Sequence, residues 1–194
     1  MPDTRQVALV GYVTGPLAWF LDSLQMQLTP AARPHAHLTV LPPRPLATPV
    51  DQLVQRIVEQ ECAKHPAIEV ELGNIALFPG SNVIYLNLSH GAAEIHALYH
   101  RLNRGILEHQ TGYPYCPHIT LAQGLSPAEA GAALPLAHRC WNEYSGSRSF
   151  IVDLVSLVRE AGPDRWTEIS EAPLAPAEHL MAAAARSDRH TSTR

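Results

Sequence analysis

Two short segments of this chain repeat a histidine, a hydrophobic residue and a threonine in the same order. They are His37-Leu38-Thr39, followed by Val40, and His118-Ile119-Thr120, followed by Leu121. On a β-strand, residues two apart point to one face. Each segment therefore offers an imidazole beside a hydroxyl, while Leu38, Val40, Ile119 and Leu121 turn into a core. An imidazole ionises at about 6.5 and serves as general acid or general base near neutrality. Two such segments facing each other across a pseudo-twofold axis place two imidazoles around one anion. In-line displacement at phosphorus calls for that arrangement: a base for the attacking oxygen and an acid for the leaving one, on opposite sides. The hydroxyls of Thr39 and Thr120 can hydrogen-bond non-bridging oxygens and stabilise developing charge without a metal.

The elements that must position these groups form an internal duplication. Val7 to Val13 reads as a buried strand. Gly15 and Pro16 then open a helix whose apolar positions are Leu17, Phe20, Leu21, Leu24 and Leu28, one face at helical spacing. A second strand runs from His37 to Leu41. Thr48, Pro49 and Asp51 are an N-cap, a first-turn proline and a capping acid, predicting a helix to about Lys64 with Val50, Leu53, Val54 and Ile57 inward. The second half repeats the order. Val83 to Leu88 is strand-like, and Gly91 opens a helix with Ile95, Leu98, Tyr99, Leu102 and Ile106 inward. His118 to Leu121 is again a strand, and Ser126, Pro127 and Glu129 repeat the cap, the proline and the capping acid. Further strands are expected at Ile68 to Phe78, Phe150 to Arg159 and Trp166 to Ser170. Hairpin-like neighbours mixed with helices predict an α+β fold.

The spaced pair of motifs resembles the 2H (two-histidine) phosphoesterases, in particular the 2′-5′ RNA ligase-like or RNA 2′,3′-cyclic phosphodiesterase branch. That family carries a duplicated His-x-Thr/Ser-x with hydrophobic x, and both H37LTV and H118ITL match it. Flanking features match too: the first motif runs into Leu41-Pro42-Pro43, Pro117 precedes the second, and Phe78-Pro79 precede a strand. The similarity spans roughly residues 7 to 170. It implies a bilobal, pseudo-twofold fold with antiparallel sheets lining a central cleft and helices outside, within one domain over residues 1–176. It implies a metal-independent hydrolase, without a cofactor, that opens a 2′,3′-cyclic phosphate on a nucleotide or RNA end. By the same analogy His37 would be the proton donor and His118 the acceptor. Ligation of 2′-5′ RNA ends by the reverse chemistry is a second reading, and a non-catalytic phosphate- or nucleotide-binding module a third.

Other residues invite weaker readings. His35 shares a face with His37 and Thr39 and reads as a solvated or supporting residue. His96 and His100 have zinc-ligand spacing but read HALYH, without the glutamate of a metalloprotease helix, so a solvated helix face is preferred to a metallohydrolase using His35, His37, His96 and His100. Tyr113, Tyr115, Phe78 and Trp141 are candidates for stacking on a base. Core packing explains Phe78, Tyr113 and Trp141 at least as well. Arg44 could hold a phosphate or cap a surface turn, the turn being preferred. Cys116 reads as a small buried residue rather than a nucleophile.

Composition bounds the remainder. The 14 basic residues are outnumbered by 18 acidic ones, for a net charge of −4; nothing in that balance suggests a general nucleic-acid or anionic-membrane binder, though net charge only averages and leaves room for a local basic patch. The loop after Phe78 reads FPGSN and supplies no cation for an RNA backbone. A small substrate or an RNA end is therefore expected, with no extended nucleic-acid groove, and the protein is expected to be a monomer. Three cysteines, Cys62, Cys116 and Cys140, form no CxxC pair and point to a reducing compartment. The N-terminal apolar stretch is too short for a signal peptide, and no segment has the length of a membrane span. The protein is expected to be cytoplasmic. From residue 177 a tail is expected, helical at first and then frayed.

Overall fold

The structure, a computed structural model, describes residues 4–29, 35–47, 51–162 and 165–177. Among the described residues thirteen elements follow one another: β1 (Thr4–Tyr12), α1 (Gly15–Leu28), β2 (His37–Ala47), α2 (Asp51–Cys62), β3 (Ile68–Leu77), β4 (Ile84–His90), α3 (Ala92–Leu102), a 3₁₀ turn (Gly105–Leu107), β5 (His118–Ala122), α4 (Pro127–Glu143), β6 (Ser149–Val152), β7 (Leu154–Gly162) and β8 (Arg165–Pro173). The strands join in the order β6-β3-β4-β5-β2-β1-β7-β8, and every named pairing is antiparallel. The expected α+β class holds.

The duplication is visible in that order. β5 and β2, the two motif strands, lie at the centre and meet through a single pair, Leu38 opposite Ile119. These are the hydrophobic residues inside the two motifs, so the pseudo-twofold passes between them. On either side β4 corresponds to β1, β3 to β7 and β6 to β8. β6 ends at Val152 and β7 begins at Leu154, yet five strands separate them in the sheet. Consecutive Cα atoms are only about 3.8 Å apart, so the sheet must curl to bring these strands together. A Cβ on Gly11 of β1 would lie 2.8 Å from Val152, which records how closely β6 approaches β1. The expected single strand from Phe150 to Arg159 is thus two strands, broken at Asp153 and serving opposite halves.

Leucines at helical spacing bury one face of α1: Leu17, Leu21, Leu24 and Leu28 are all in the core. α3 buries Ile95, Leu98, Tyr99 and Leu102, but Ile106 falls beyond its end and is exposed, with Leu107 taking the buried place. Gly91 starts α3 with φ of 87°, and a Cβ there would lie 2.5 Å from the carbonyl oxygen of Glu69, so only glycine fits. Ser126 and Glu129 form the anticipated capping box on α4. In α2, Val54, Val58 and Cys62 are buried while Leu53 is 46% exposed, a correction of one position in the inward face. The expected cap at Thr48 and Pro49, Val50 and nearly all of the expected tail lie outside the described residues.

β2 continues to Ala47 through Pro42, Pro43 and Pro45, further than the expected end at Leu41. β5 pairs with β2 only at Leu38, so beyond that point β2 is an edge strand, and an edge tolerates residues without an N–H. Among the described residues no helix is long and apolar enough to cross a membrane.

Candidate active site

The central antiparallel pair brings both motifs to one face. With Leu38 opposite Ile119, the next positions out set His37 opposite Thr120 and Thr39 opposite His118, all on the side away from the buried Leu38 and Ile119. The four side chains are half-buried, whereas Leu38, Val40, Ile119 and Leu121 are in the core.

Each ring is oriented in the same way. His37 Nδ1–H donates to the carbonyl of His35 and His118 Nδ1–H to the carbonyl of Cys116, both at 2.7 Å. A carbonyl only accepts, so Nδ1 carries the hydrogen in each ring and Nε2 is left as the nitrogen that takes or gives a proton. Burial lowers the pKa of both histidines below the ordinary 6.5. The carbonyl bonds work against that shift, and the charge of His37 lowers His118 further. Two cations are thus disfavoured together, and the singly protonated pair is the form that contains one acid and one base.

Side chains from each half brace the motif of the other. Gln25 Nε2 on α1 donates to the carbonyl of Thr120, and the Tyr115 hydroxyl donates to the carbonyl of Thr39, both at 2.7 Å. Asp22 Oδ1 accepts from the N–H of Ala36 at 2.7 Å, pinning the residue that leads into His37. None of these braces has a motif signature, because each links residues distant in sequence.

The walls differ. Phe78 stacks on Tyr85 with centroids 3.8 Å apart, and both rings meet His118 edge-on, at 4.9 and 5.3 Å. Asn87 lies opposite His118 and accepts from the N–H of Asn74 at 2.7 Å. Beside His37 the wall is Tyr12, opposite it on β1, with ring centroids 6.3 Å apart. Tyr12 also stacks on His35 at 4.0 Å. Tyr12 and Tyr85 carry no motif of their own; alternation within their strands was the only available signal.

Several expected roles need correction. Arg44 neither holds a phosphate in this site nor caps a surface turn: it is 2% exposed on the core side of β2. Its guanidinium donates to the carbonyl of Pro42, to Asn103 Oδ1 at 2.6 Å and to the carbonyl of Leu107. Burial holds its pKa down to about 10, which leaves it charged at neutral pH. Tyr115 stacks on Tyr99 at 4.1 Å with its hydroxyl committed to Thr39, so it braces β2 rather than offering a free ring. Tyr113 is 77% exposed rather than core, and Cys116 is exposed rather than buried. Trp141 is core, donating to the carbonyl of Gly73 beneath Arg148. His96 lies edge-on to Tyr115 and His100 is exposed. Among the described residues no three histidine, cysteine or acidic side chains gather as metal ligands.

This geometry agrees with what the chain is similar to. Residues 16–164 match the family model of the 2′-5′ RNA ligase superfamily. A candidate phosphoesterase of Geobacillus sp. (strain WCH70) is 32% identical over 102 residues, which is 48% of this chain and 58% of that relative, under two thirds of its length. Among solved structures, E. coli LigT in its apo form superposes with a TM-score of 0.65 at 14% identity, covering 89% of this chain and 99% of that one. E. coli LigT complexed with 3′-AMP has the same TM-score and coverage at 16% identity. TT0787 of Thermus thermophilus gives 0.63 at 18%, covering 89% of this chain and all of its own. At these identities the structures establish a shared fold, while the match to more than half of the sequence establishes kinship. The chain belongs to the 2′-5′ RNA ligase superfamily, the two-histidine phosphoesterases.

Proposed function

We propose that this protein hydrolyses a 2′,3′-cyclic phosphodiester on a nucleotide or RNA end by acid/base catalysis between His37 and His118. The observation that carries the reading is the matched pair of imidazoles, each with Nδ1 tied to a carbonyl and Nε2 left free, on one face across the central strand pair. The phosphate sits between the two Nε2 atoms. One imidazole takes the proton of water as its oxygen attacks phosphorus. The other, protonated, gives its proton to the departing ribose oxygen. Thr39 and Thr120 donate to the non-bridging oxygens, whose charge grows in the transition state. The mechanism asks nothing of a metal.

Phe78 is the side chain best placed to meet a nucleobase, because its ring already stacks on Tyr85 and touches the edge of His118. A cytoplasmic monomer is the setting we propose, with three free cysteines in keeping with reducing conditions. The same site could run the bond-forming direction on 2′-5′ RNA ends, since each proton transfer is reversible. The test is turnover of purified protein, with chelator present, against 2′,3′-cyclic mononucleotides, cyclic-ended RNAs and 2′-5′-linked dinucleotides. Opening of the cyclic substrates supports the proposal. Activity only on 2′-5′ linkages would move it to the ligase chemistry, and binding without turnover to a phosphate-binding module.

A further inference from the structure

The reacting phosphate brings one negative charge to the histidine pair, and the remainder of that face decides what else a substrate can carry. Register extends outward from the histidines strand by strand. Val10 on β1 lies opposite Thr39 and also opposite Ser156 on β7, and Ser156 lies opposite Glu171 on β8. One row further, Ala8 lies opposite Val158, and Val158 opposite Glu168. Directly paired residues of antiparallel strands project to the same side. Glu168 and Glu171 therefore stand on the face of the histidines.

The ground between is apolar. Ala8, Val10 and Val158 form a small buried cluster separate from the main core, with Tyr12 packed against it. The arginines of these inner strands fall on the opposite side: Arg44 and Arg159 are both opposite Val7, a main-core residue, and Arg5 is opposite Leu46, which packs against that core. The Tyr12 phenol is held above its usual pKa first by burial and then by Glu168 and Glu171, so both carboxylates act on the ring that walls His37.

Building on the cyclic-phosphodiesterase reading, we infer that Glu168 and Glu171 make this face a charge filter, so that the site accepts cyclic phosphodiesters whose only anion is the reacting phosphate and disfavours those with a second phosphate. The carboxylates bind nothing in this role. They act through space on what the histidine pair can hold, because a phosphate within about a Debye length, roughly 8–10 Å, of a carboxylate is repelled. Sugar hydroxyls and bases are uncharged and pass.

The experiment compares adenosine 2′,3′-cyclic phosphate bearing a 5′-hydroxyl with the same nucleotide bearing a 5′-phosphate, in the unmodified protein and in E168Q/E171Q. At low salt the 5′-phosphate should lower kcat/KM about tenfold in the unmodified protein, and added salt should shrink that penalty. In E168Q/E171Q the penalty should fall to about threefold or less, since both charges are gone. An unchanged penalty in the variant, or no penalty in the unmodified protein, overturns the filter. Absence of turnover on every cyclic substrate is a failure of the reaction proposal instead. The filter is then read by calorimetry, as the ratio of Kd values for adenosine 3′-phosphate and adenosine 3′,5′-bisphosphate. Equal affinities, or a ratio the double substitution leaves unchanged, overturn it on that arm.

Discussion

The half around His118 and the half around His37 share a backbone plan but not a lining. In each, a motif strand lies beside its neighbour, an Nδ1–H is tied to the carbonyl two residues earlier, and a side chain from the other half holds the threonine carbonyl. Around His118 the neighbours are stacked aromatics, Phe78 on Tyr85. Around His37 they are Tyr12, a floor of small apolar residues and, beyond it, two glutamates. Duplication thus preserved what the chemistry needs to be symmetric, two proton-transfer groups about one phosphorus. The flanking strands were free to diverge because a substrate has two different ends.

The strongest way to break the comparison is to remove one histidine at a time. His37→Ala and His118→Ala should each lower kcat by about 10²–10⁴. The double variant should be little worse than the worse single one, because acid and base work as a unit. Near-wild-type turnover by either folded single variant would end the symmetric acid/base assignment. Thr39→Val and Thr120→Val should each cost about 1.5–3 kcal/mol in ΔΔG‡, roughly tenfold to a few hundredfold in kcat/KM. A loss at one threonine only would show that the phosphate leans to one half.

Arg44→Met separates bracing from chemistry. The substitution removes the donations to Asn103 Oδ1, which keeps only the N–H of His109, and to the Leu107 carbonyl, and should lower unfolding free energy by about 1–3 kcal/mol by denaturant titration. Activity per folded molecule should change far less than in the histidine variants. The pH profile sharpens the comparison further. Burial lowers both histidines below 6.5, and only the singly protonated pair holds an acid and a base. As pH rises through the upper of the two apparent values, the pair loses its acid. As pH falls through the lower, it loses its base. The bell in kcat/KM, which reports the free enzyme, should therefore have its maximum below pH 6.5. A maximum well above 7 would contradict the lowered pair. The smallest effect is expected of Tyr115→Phe, which keeps the stack on Tyr99 and removes one bond to Thr39. A fall in kcat of several-fold with little change in KM marks a brace, whereas an unchanged kcat would end the bracing role.

Much of the frame was legible in the sequence. The leucine spacing of α1, the capping box of α4 and the two motif strands appear where the residues predict them, because each depends on neighbours within a turn or a pleat. Ile106 and Leu53 were misplaced, since a helix end and a one-position rotation of a face depend on what packs against them. The strand expected from Phe150 to Arg159 is mostly apolar, and nothing local reveals that Asp153 divides it between the two ends of the sheet.

The candidate site divides the same way. The repeated His-x-Thr determined by itself which groups could do chemistry and that each pair shares a face, because alternation along a strand is a property of the backbone. Only the tertiary structure decided that Arg44 lies on the core side, that Tyr115 points its hydroxyl at Thr39, and that Tyr12, Tyr85, Glu168 and Glu171 stand on the face of the histidines. Those placements follow from strand order and register, which are settled by hydrogen bonds between segments up to a hundred residues and more apart.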